Sequence, residues 1–464
     1  MSALAQYHAM RGGTVSGSDR AFDAGQAKKI RGHLEQLGIR IFPQDGSGLT
    51  ADSRNDSIAA EESAGPVLVV STAVEDTVAD VRAAKELGVP VLHRAELLSR
   101  FVNSRRTIAV TGTSGKSTVA AMIFELLRGA GRAPSVITGG ELLLLQEEGL
   151  LGNAWADEGD LLVIEADESD GSLTRYTPWM GVVLNLQRDH KEPEELAALF
   201  HTFRRQTTGP FILGEDENLN PFAVSPVVRA GLGSGCDLRA EEPSMTPDGS
   251  SFLVHGVRFR LPVPGMHNIA NAVAAIAACL SAGVPLSELT EPLRRFRGVA
   301  RRFQSLGRVA GVEVVDDFAH NPSKIAASLA TARPRARRIL AFFQPHGFGP
   351  TRFLRDGLID ALATNLTPDD RLYMPEIFYA GGTAVRNISS REIADAVALL
   401  GIPTLFAERR EELLPSLIRD ARAVDLILVM GARDPSLSAF CRRIVYELSV
   451  RSGLRPVGKE GGDP

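Results

Sequence analysis

An α/β fold with parallel sheets follows from three features of the sequence. Short apolar runs of strand character recur along the chain, at Val67–Val70, Thr107–Val110, Leu161–Ile164, Gly181–Leu184, Val312–Val315, Ile339–Phe343 and Leu426–Met430. Longer segments with apolar residues three or four apart follow many of them, as Ser117–Leu127 follows Thr107–Val110, and this alternation predicts right-handed crossovers between parallel strands. The third feature is size: 464 residues are too many for one core and predict several domains.

Composition narrows the function. Apolar residues make up 44%, charged residues 23% and aromatic residues 6%, the balance of a globular chain and not of a disordered one. Lys and Arg number 51 against 56 Asp and Glu, a net charge of −5. That balance argues against a protein that coats nucleic acid or binds a membrane through a basic patch. Cys236, Cys279 and Cys441 lie far apart, with no C-x-x-C pair, so neither a disulfide framework nor a cysteine zinc site is expected, and a reducing cytoplasm fits. The longest apolar patches, Leu142–Leu145 and Leu426–Met430, fall far short of the ~18–20 residues that cross a membrane. Met1–Met10 has neither a basic leader nor a sustained apolar stretch.

Taken in order, Ser2–Met10 reads as a helix and Gly13–Ser16 as a strand ending in Gly17-Ser18-Asp19. An acidic residue in that place meets a ribose or sugar in nucleotide-binding α/β domains. The strand and glycine turn that should precede the helix are absent, which predicts a first sheet lacking a central strand and a native chain that starts upstream of Met1. Asp45–Glu62 is polar and rich in Gly, Ser and Asp, and reads as a loop or insertion. Polar, basic Val102–Arg106 and the Arg- and Gly-containing Phe296–Arg302, which follows the helix-like Asn268–Leu280, give the boundaries of three domains: 1–103, 104–297 and 298–464. Arg455–Pro464 reads as a frayed tail.

The chemistry begins after Thr107–Val110, with Thr111, Gly112, Thr113, Ser114, Gly115, Lys116, Ser117 and Thr118, then a helix. Such a turn exposes backbone N–H groups, the helix N-terminus adds positive potential, Lys116 neutralises phosphate oxygens and Ser117 can ligate magnesium. Val110 occupies the place of the first glycine in the strict G-x-x-x-x-G-K-[S/T] pattern, yet the strand before and helix after favour a phosphate loop over a plain Gly/Ser turn. Glu165 directly follows the next strand, where a carboxylate beside a phosphate loop can hold magnesium. Behind it, Glu168 and Asp170 fit a solvated acidic turn equally well. Gly181–Leu184 leads into Asn185-Leu186-Gln187-Arg188-Asp189-His190. Three strand ends bearing Lys116 and Ser117, Glu165, and Asp189 with His190 are expected to converge on one crevice.

Together these elements resemble the Mur ligase family, ATP-dependent amide ligases of peptidoglycan precursor synthesis. The likeness extends along nearly the whole chain. It includes Val15-Ser16-Gly17-Ser18-Asp19, Ser71-Thr72-Ala73-Val74 and Pro90–Leu97, then Glu165–Asp170 with Asp189-His190, and Pro264-Gly265-Met266-His267-Asn268-Ile269-Ala270-Asn271-Ala272. It continues through Gly298–Gln304, Asp316-Asp317-Phe318-Ala319-His320-Asn321-Pro322, Phe343-Gln344-Pro345-His346 and Gly431-Ala432-Arg433-Asp434. The resemblance implies three domains: a Rossmann-like UDP-sugar domain without its first strand, a central ATPase-like domain and a C-terminal Rossmann-like ligase domain.

Roles are implied at the matching positions. Gly112 to Thr118, with Lys116 foremost, would bind the ATP phosphates. Ser117, Glu165 and His190 would serve magnesium, Lys116, Glu165 and His190 carrying the catalysis. Asn268, Asn271, Arg302, Asp317 and His320 would hold the rest of the nucleotide, while Ser18, Asp19, His346 and Arg352 would meet the other substrates. The implied reaction joins an amino acid to the lactyl carboxylate of UDP-N-acetylmuramate through an acyl phosphate, with ATP and Mg2+ and in the cytoplasm. Many members use a carbamylated lysine shortly after the histidine, and Glu194–Pro210 contains no lysine. That narrows the likeness to the branches acting on L-alanine, the favoured acceptor, or on the tripeptide L-Ala-D-Glu-diaminopimelate in recycling. Ser114, Ser117 and Asn321 depart from the usual His, Thr and His. Gly347 and Pro350 replace two usual arginines and leave Arg352, which bears on how an acceptor carboxylate is held. A catalytically weak ATP-binding relative is the remaining alternative.

Overall fold

The structure is a computed structural model that describes residues 1–49, 65–71, 74–168, 171–187, 193–379 and 385–454. They fall into two compact units, one of Met1–Pro243, Ser251–Pro262 and Ile269–Gly298, the other of Ser244–Ser250, Val263–Asn268 and Val299–Pro464.

An eight-stranded sheet organises the first unit, in the order Leu238–Arg239, Val228–Gly231, Phe211–Leu213, Met180–Val183, Arg106–Thr111, Leu161–Glu165, Ser135–Ile137, Ala154–Trp155. Neighbours run parallel except in the last pair. Arg106–Thr111 has a strand on each side and is buried from Thr107 to Thr111, so its sequence is a near-continuous apolar run instead of an alternating one. The expected strands at Thr107–Val110, Leu161–Ile164 and Gly181–Leu184 are all present, with ends shifted by about one residue. Gly181 lets its strand pass close to a ring, because a Cβ there would stand 2.7 Å from Phe211 Cε2.

Ser2–Met10 is helical as expected, and Leu4 and Tyr7 join Leu98, Val102, Ala109, Ile164 and Phe200 in one apolar core. The strand expected at Gly13–Ser16 is reduced to Ser16–Gly17. The chain first turns back on the helix, with Gly13 N donating to His8 O at 2.9 Å, so pairing starts later. Ser16–Gly17 runs parallel to Arg40–Ile41, and Leu68–Val70 runs parallel to Val91–His93, as two separate two-stranded sheets. Of the segment Asp45–Glu62, Ser47–Leu49 forms a short 3-10 turn, and its remainder beyond Leu49 lies outside the described residues, as do Thr72, Ala73 and the tail Arg455–Pro464.

The second unit carries a six-stranded sheet in the order Gln304–Val309, Val312–Asp317, Asp425–Gly431, Arg338–Gln344, Arg371–Pro375, Thr404–Ala407. Its first pair is antiparallel and the others are parallel. One core gathers Ile325, Leu329, Leu358, Leu362, Ile393 and Val397; a separate one gathers Leu413, Leu417, Phe440, Ile444 and Leu448. Helices thus cover both faces, the arrangement expected of a parallel sheet whose strands are apolar throughout. No helix among the described residues is long and apolar enough to cross a membrane.

Candidate functional site

Register in the first unit decides what meets the glycine-rich loop. Val110, the next-to-last residue of its strand, lies level with Glu165 on one side and Val182 on the other. The loop therefore leaves the sheet beside the acidic end of one neighbour and the polar end of another, at the carboxyl edge where open parallel sheets meet ligands. Gly112 has φ +133° and a Cβ on it would lie 3.1 Å from Asn185 N; Gly115 has φ +87° and a Cβ on it would lie 2.7 Å from Asn271 Oδ1. Glycine is required at both for backbone conformation and for space. The helix Lys116–Gly129 starts directly after Gly115, with Ser117 and Thr118 buried in its first turn.

Lys116 Nζ donates to Gly112 O at 2.8 Å and to both Glu168 oxygens at 3.0 and 2.8 Å, and both side chains are largely buried. Burial alone would push the Lys116 ammonium down, but the carboxylates of Glu168, Asp167 and Glu165 hold it above its ordinary value. Burial also raises the Glu168 carboxyl, with Lys116 pulling against it. Ser117 Oγ donates to Glu165 Oε1 and Oε2 at 3.0 and 2.9 Å. Glu165 Oε2 also accepts from Thr138 Oγ1 and from Gly139 N, each at 2.9 Å. A carboxylate and a hydroxyl are thus held side by side, an all-oxygen pair that suits magnesium. Asn185 is bonded to the loop itself: its Oδ1 accepts from Thr113 Oγ1 at 2.7 Å and Ser114 N at 2.8 Å.

Of the expected site residues in this unit, Lys116, Ser117 and Glu165 come together, with Asn271 against the loop. His190 and Asp189 lie outside the described residues, as does Asp170. Ser18 and Asp19 make their bonds elsewhere. Ser18 Oγ donates to Asp80 Oδ2, and Asp19 caps the helix Arg20–Asp23 by accepting from Ala21 N at 2.8 Å. Thr138 and Asn185 are site residues that the sequence does not single out, while Glu168, for which a site role and a solvated turn fit the sequence equally well, lies against Lys116. For Asn185 and Glu168 the available signal was position, a polar residue just past an apolar strand at the carboxyl edge.

In the second unit Asp317 ends one strand and His346 follows another. Asp317 accepts from Ala319 N at 2.7 Å and Phe303 N at 2.9 Å. Burial pushes its carboxyl up to about 6, against the pull of the Arg302 guanidinium and these hydrogen bonds. The Arg301 and Arg302 guanidinium carbons lie 5.0 and 4.7 Å from the Phe318 ring centroid. His320 Nδ1 lies 2.8 Å from Phe318 O, a carbonyl that only accepts, so Nδ1 bears a proton. The His320 ring stands 5.3 Å from the buried ring of His346. Arg302, Asp317, His320 and His346 thus form one cluster. Arg352 pairs with Asn387 Oδ1, and Asn268 Nδ2 donates to Pro264 O at 2.7 Å.

The chain matches known families along most of its length. Residues 1–106 match the Mur ligase family catalytic domain, residues 110–279 the Mur ligase middle domain and residues 301–433 the Mur ligase glutamate ligase domain. A UDP-N-acetylmuramate–L-alanine ligase of Syntrophomonas wolfei is 32% identical over 464 aligned positions, covering 94% of this chain and 92% of the relative. One from Nitratidesulfovibrio vulgaris is 35% identical, covering 93% of each. Among solved structures, a UDP-N-acetylmuramate–alanine ligase from Thermotoga maritima superimposes with a TM-score of 0.76 over 97% of each chain at 24% identity. A murein peptide ligase from Psychrobacter arcticus gives a TM-score of 0.65 at 23% identity, over 97% of this chain and 96% of that one.

Proposed function

Since this chain belongs to the Mur ligase family, we propose that it joins L-alanine to UDP-N-acetylmuramate and that the residues described above divide the work as follows. It is an ATP-dependent amide ligase of peptidoglycan precursor synthesis. The lactyl carboxylate attacks the γ-phosphorus of ATP, ADP leaves, and an acyl phosphate forms. The amine of L-alanine then attacks the acyl carbon, the amide bond forms as the C–O bond to phosphate breaks, and the amine proton is lost. Phosphoryl transfer of this kind is catalysed mainly by positioning and by charge aimed at the equatorial oxygens.

The observation that carries this reading is the buried Lys116, kept in its charged form at the mouth of a glycine-bent loop. It supplies the cation for the phosphate oxygens, and the loop Gly112 to Thr118 supplies its remaining backbone donors and the first helical turn, Thr113 N and Ser114 N being bonded to Asn185. Ser117 and Glu165 suit a magnesium ion, His190 being the third residue assigned to it; when bound, the ion offsets phosphate charge. Asn268, Asn271, Arg302, Asp317 and His320 are assigned to the rest of the nucleotide. Ser18 and Asp19 follow a parallel strand and are assigned to the UDP-sugar. His346 and Arg352 are assigned to the acceptor, whose carboxylate would be held differently where Gly347 and Pro350 stand in place of arginines. The boundaries 1–103, 104–297 and 298–464 and a cytoplasmic location belong to the same reading.

Phosphate release tests it, with ATP, magnesium and UDP-N-acetylmuramate supplied and the acceptor varied. Release with L-alanine is the expected result. Release only with the L-Ala-D-Glu-diaminopimelate tripeptide would reassign the protein to recycling, and none with any acceptor would leave a nucleotide-binding relative without ligase activity.

A further inference from the structure

A phosphate loop has few means of holding its own shape. Between the end of its strand and the start of its helix the backbone leaves both regular hydrogen-bond ladders, and here two of the residues are glycines with positive φ. Something outside the loop has to hold its backbone in one shape. In this protein the holding groups come from the segment that follows Met180–Val183.

Strand pairing does not stop at Thr111 and Val183, the last register pair. Leu184 N donates to Thr111 O at 3.0 Å, and Thr113 N donates to Asn185 O at 3.3 Å. From there the Asn185 side chain continues the ladder. Its Oδ1 accepts from Ser114 N at 2.8 Å and from Thr113 Oγ1 at 2.7 Å, while its Nδ2 donates to Ser114 O at 3.1 Å. Both polar atoms of the Ser114 backbone are thus met by one carboxamide, and the placement of two donors at Oδ1 and a carbonyl at Nδ2 fixes which way that carboxamide faces. Thr113 Oγ1 in turn accepts from Gln187 N at 3.1 Å, closing the network. Gly112 makes the approach possible, since a Cβ there would meet Asn185 N and O at 3.1 and 3.2 Å.

We infer that Asn185 is a positioning residue: its carboxamide acts as one further rung of the sheet and sets the shape in which the loop receives nucleotide phosphates. The inference rests on the proposed reading that this loop binds ATP. It also assigns Thr113 a task different from touching phosphate, namely accepting and donating within the network. No other natural side chain replaces Asn185 in the same geometry. An Asp keeps the two acceptor bonds, loses the bond to Ser114 O and adds negative charge beside the phosphates, whereas an Ala loses all three.

The test is nucleotide binding by the full chain, read by calorimetry with ADP and magnesium, alongside thermal unfolding. Parent protein is expected to bind and Asn185→Ala to bind roughly 10–100-fold more weakly with little change in unfolding temperature. Asn185→Asp is expected to bind no better than Asn185→Ala. Thr113→Val weakens binding in the parent, Thr113→Ser restores it, and Thr113→Val costs less in the Asn185→Ala background than in the parent, the bond from Gln187 N being all it still removes. Binding by Asn185→Ala within twofold of the parent, or full additivity with Thr113→Val, overturns the inference and leaves the loop's role standing. If Asn185→Ala does not fold, the Thr113 pair decides: Thr113→Val equal to the parent overturns it. A parent that binds no ADP removes both the inference and the reading beneath it.

Discussion

At the scale of single residues, the site is a set of oxygen and nitrogen atoms whose directions are fixed by hydrogen bonds within the protein. Glu165 accepts from Ser117, Thr138 and Gly139, so its direction is settled before any metal arrives. Replacing it by Gln keeps the shape and removes the charge. Glu165→Gln is therefore expected to raise the magnesium concentration needed for half-maximal phosphate release by about 10–100-fold, with unfolding temperature little changed. An unchanged magnesium curve would remove Glu165 from the metal. Lys116→Met is expected to lower turnover by roughly 10²–10³-fold, because Lys116 is the one cationic side chain between Thr111 and Thr118. Lys116, Ser117 and Glu165 were legible as a trio from sequence alone, since each stands just past a strand of a phosphate-loop pattern. Glu168 was not: a carboxylate three residues after Glu165 looks the same on paper whether it is solvated or buried against Lys116.

At the scale of elements, the loop helix and the strand Met180–Val183 carry two further expectations. Glu125 lies buried near the far end of that helix, its Oε2 accepting from Arg297 N at 3.1 Å and its Oε1 without a partner among the described residues. Burial pushes its carboxyl up to about 8, helped by Glu147 and opposed by Arg297 and Arg128. The folded protein therefore keeps a proton there that the unfolded chain has lost above its ordinary value of 4.5. Its contribution to stability is full below that value and falls as pH rises toward about 8. Glu125→Gln keeps an acceptor for Arg297 N and removes the titration. The variant's advantage in denaturant unfolding is expected to grow between pH 5 and pH 8 and to reach roughly 1–3 kcal/mol; a constant difference would show that the carboxyl is ionised in the fold. In the strand, Gly181→Ala places a methyl 2.7 Å from the Phe211 ring and 2.9 Å from Thr207 Oγ1. A loss of about 1–3 kcal/mol in unfolding is expected, with weaker nucleotide binding because the same strand delivers Asn185. Neither effect shows in the sequence, where Glu125 fits an exposed helical position and Gly181 an ordinary strand glycine.

At the scale of the whole molecule, two units carry two clusters: Lys116, Ser117 and Glu165 in one, and Arg302, Asp317, His320 and His346 in the other. Each cluster lies at the carboxyl ends of parallel strands, where one sheet brings together side chains far apart in the chain. The sequence by itself determined the alternation of strand and helix, because burial on both faces forces continuous apolar runs, and it determined the phosphate loop, because glycine spacing and the following helix are local properties. It also determined the family, through motifs in fixed order over most of the chain. Only the tertiary structure decided that Glu168 pairs with Lys116, that Asn185 shapes the loop, that Phe318 lies beneath two arginines and that the Gly13–Ser16 strand shrinks to Ser16–Gly17. The first two depend on register and burial between segments tens of residues apart and the others on how the chain turns back on itself, and composition, period and spacing carry no term for either.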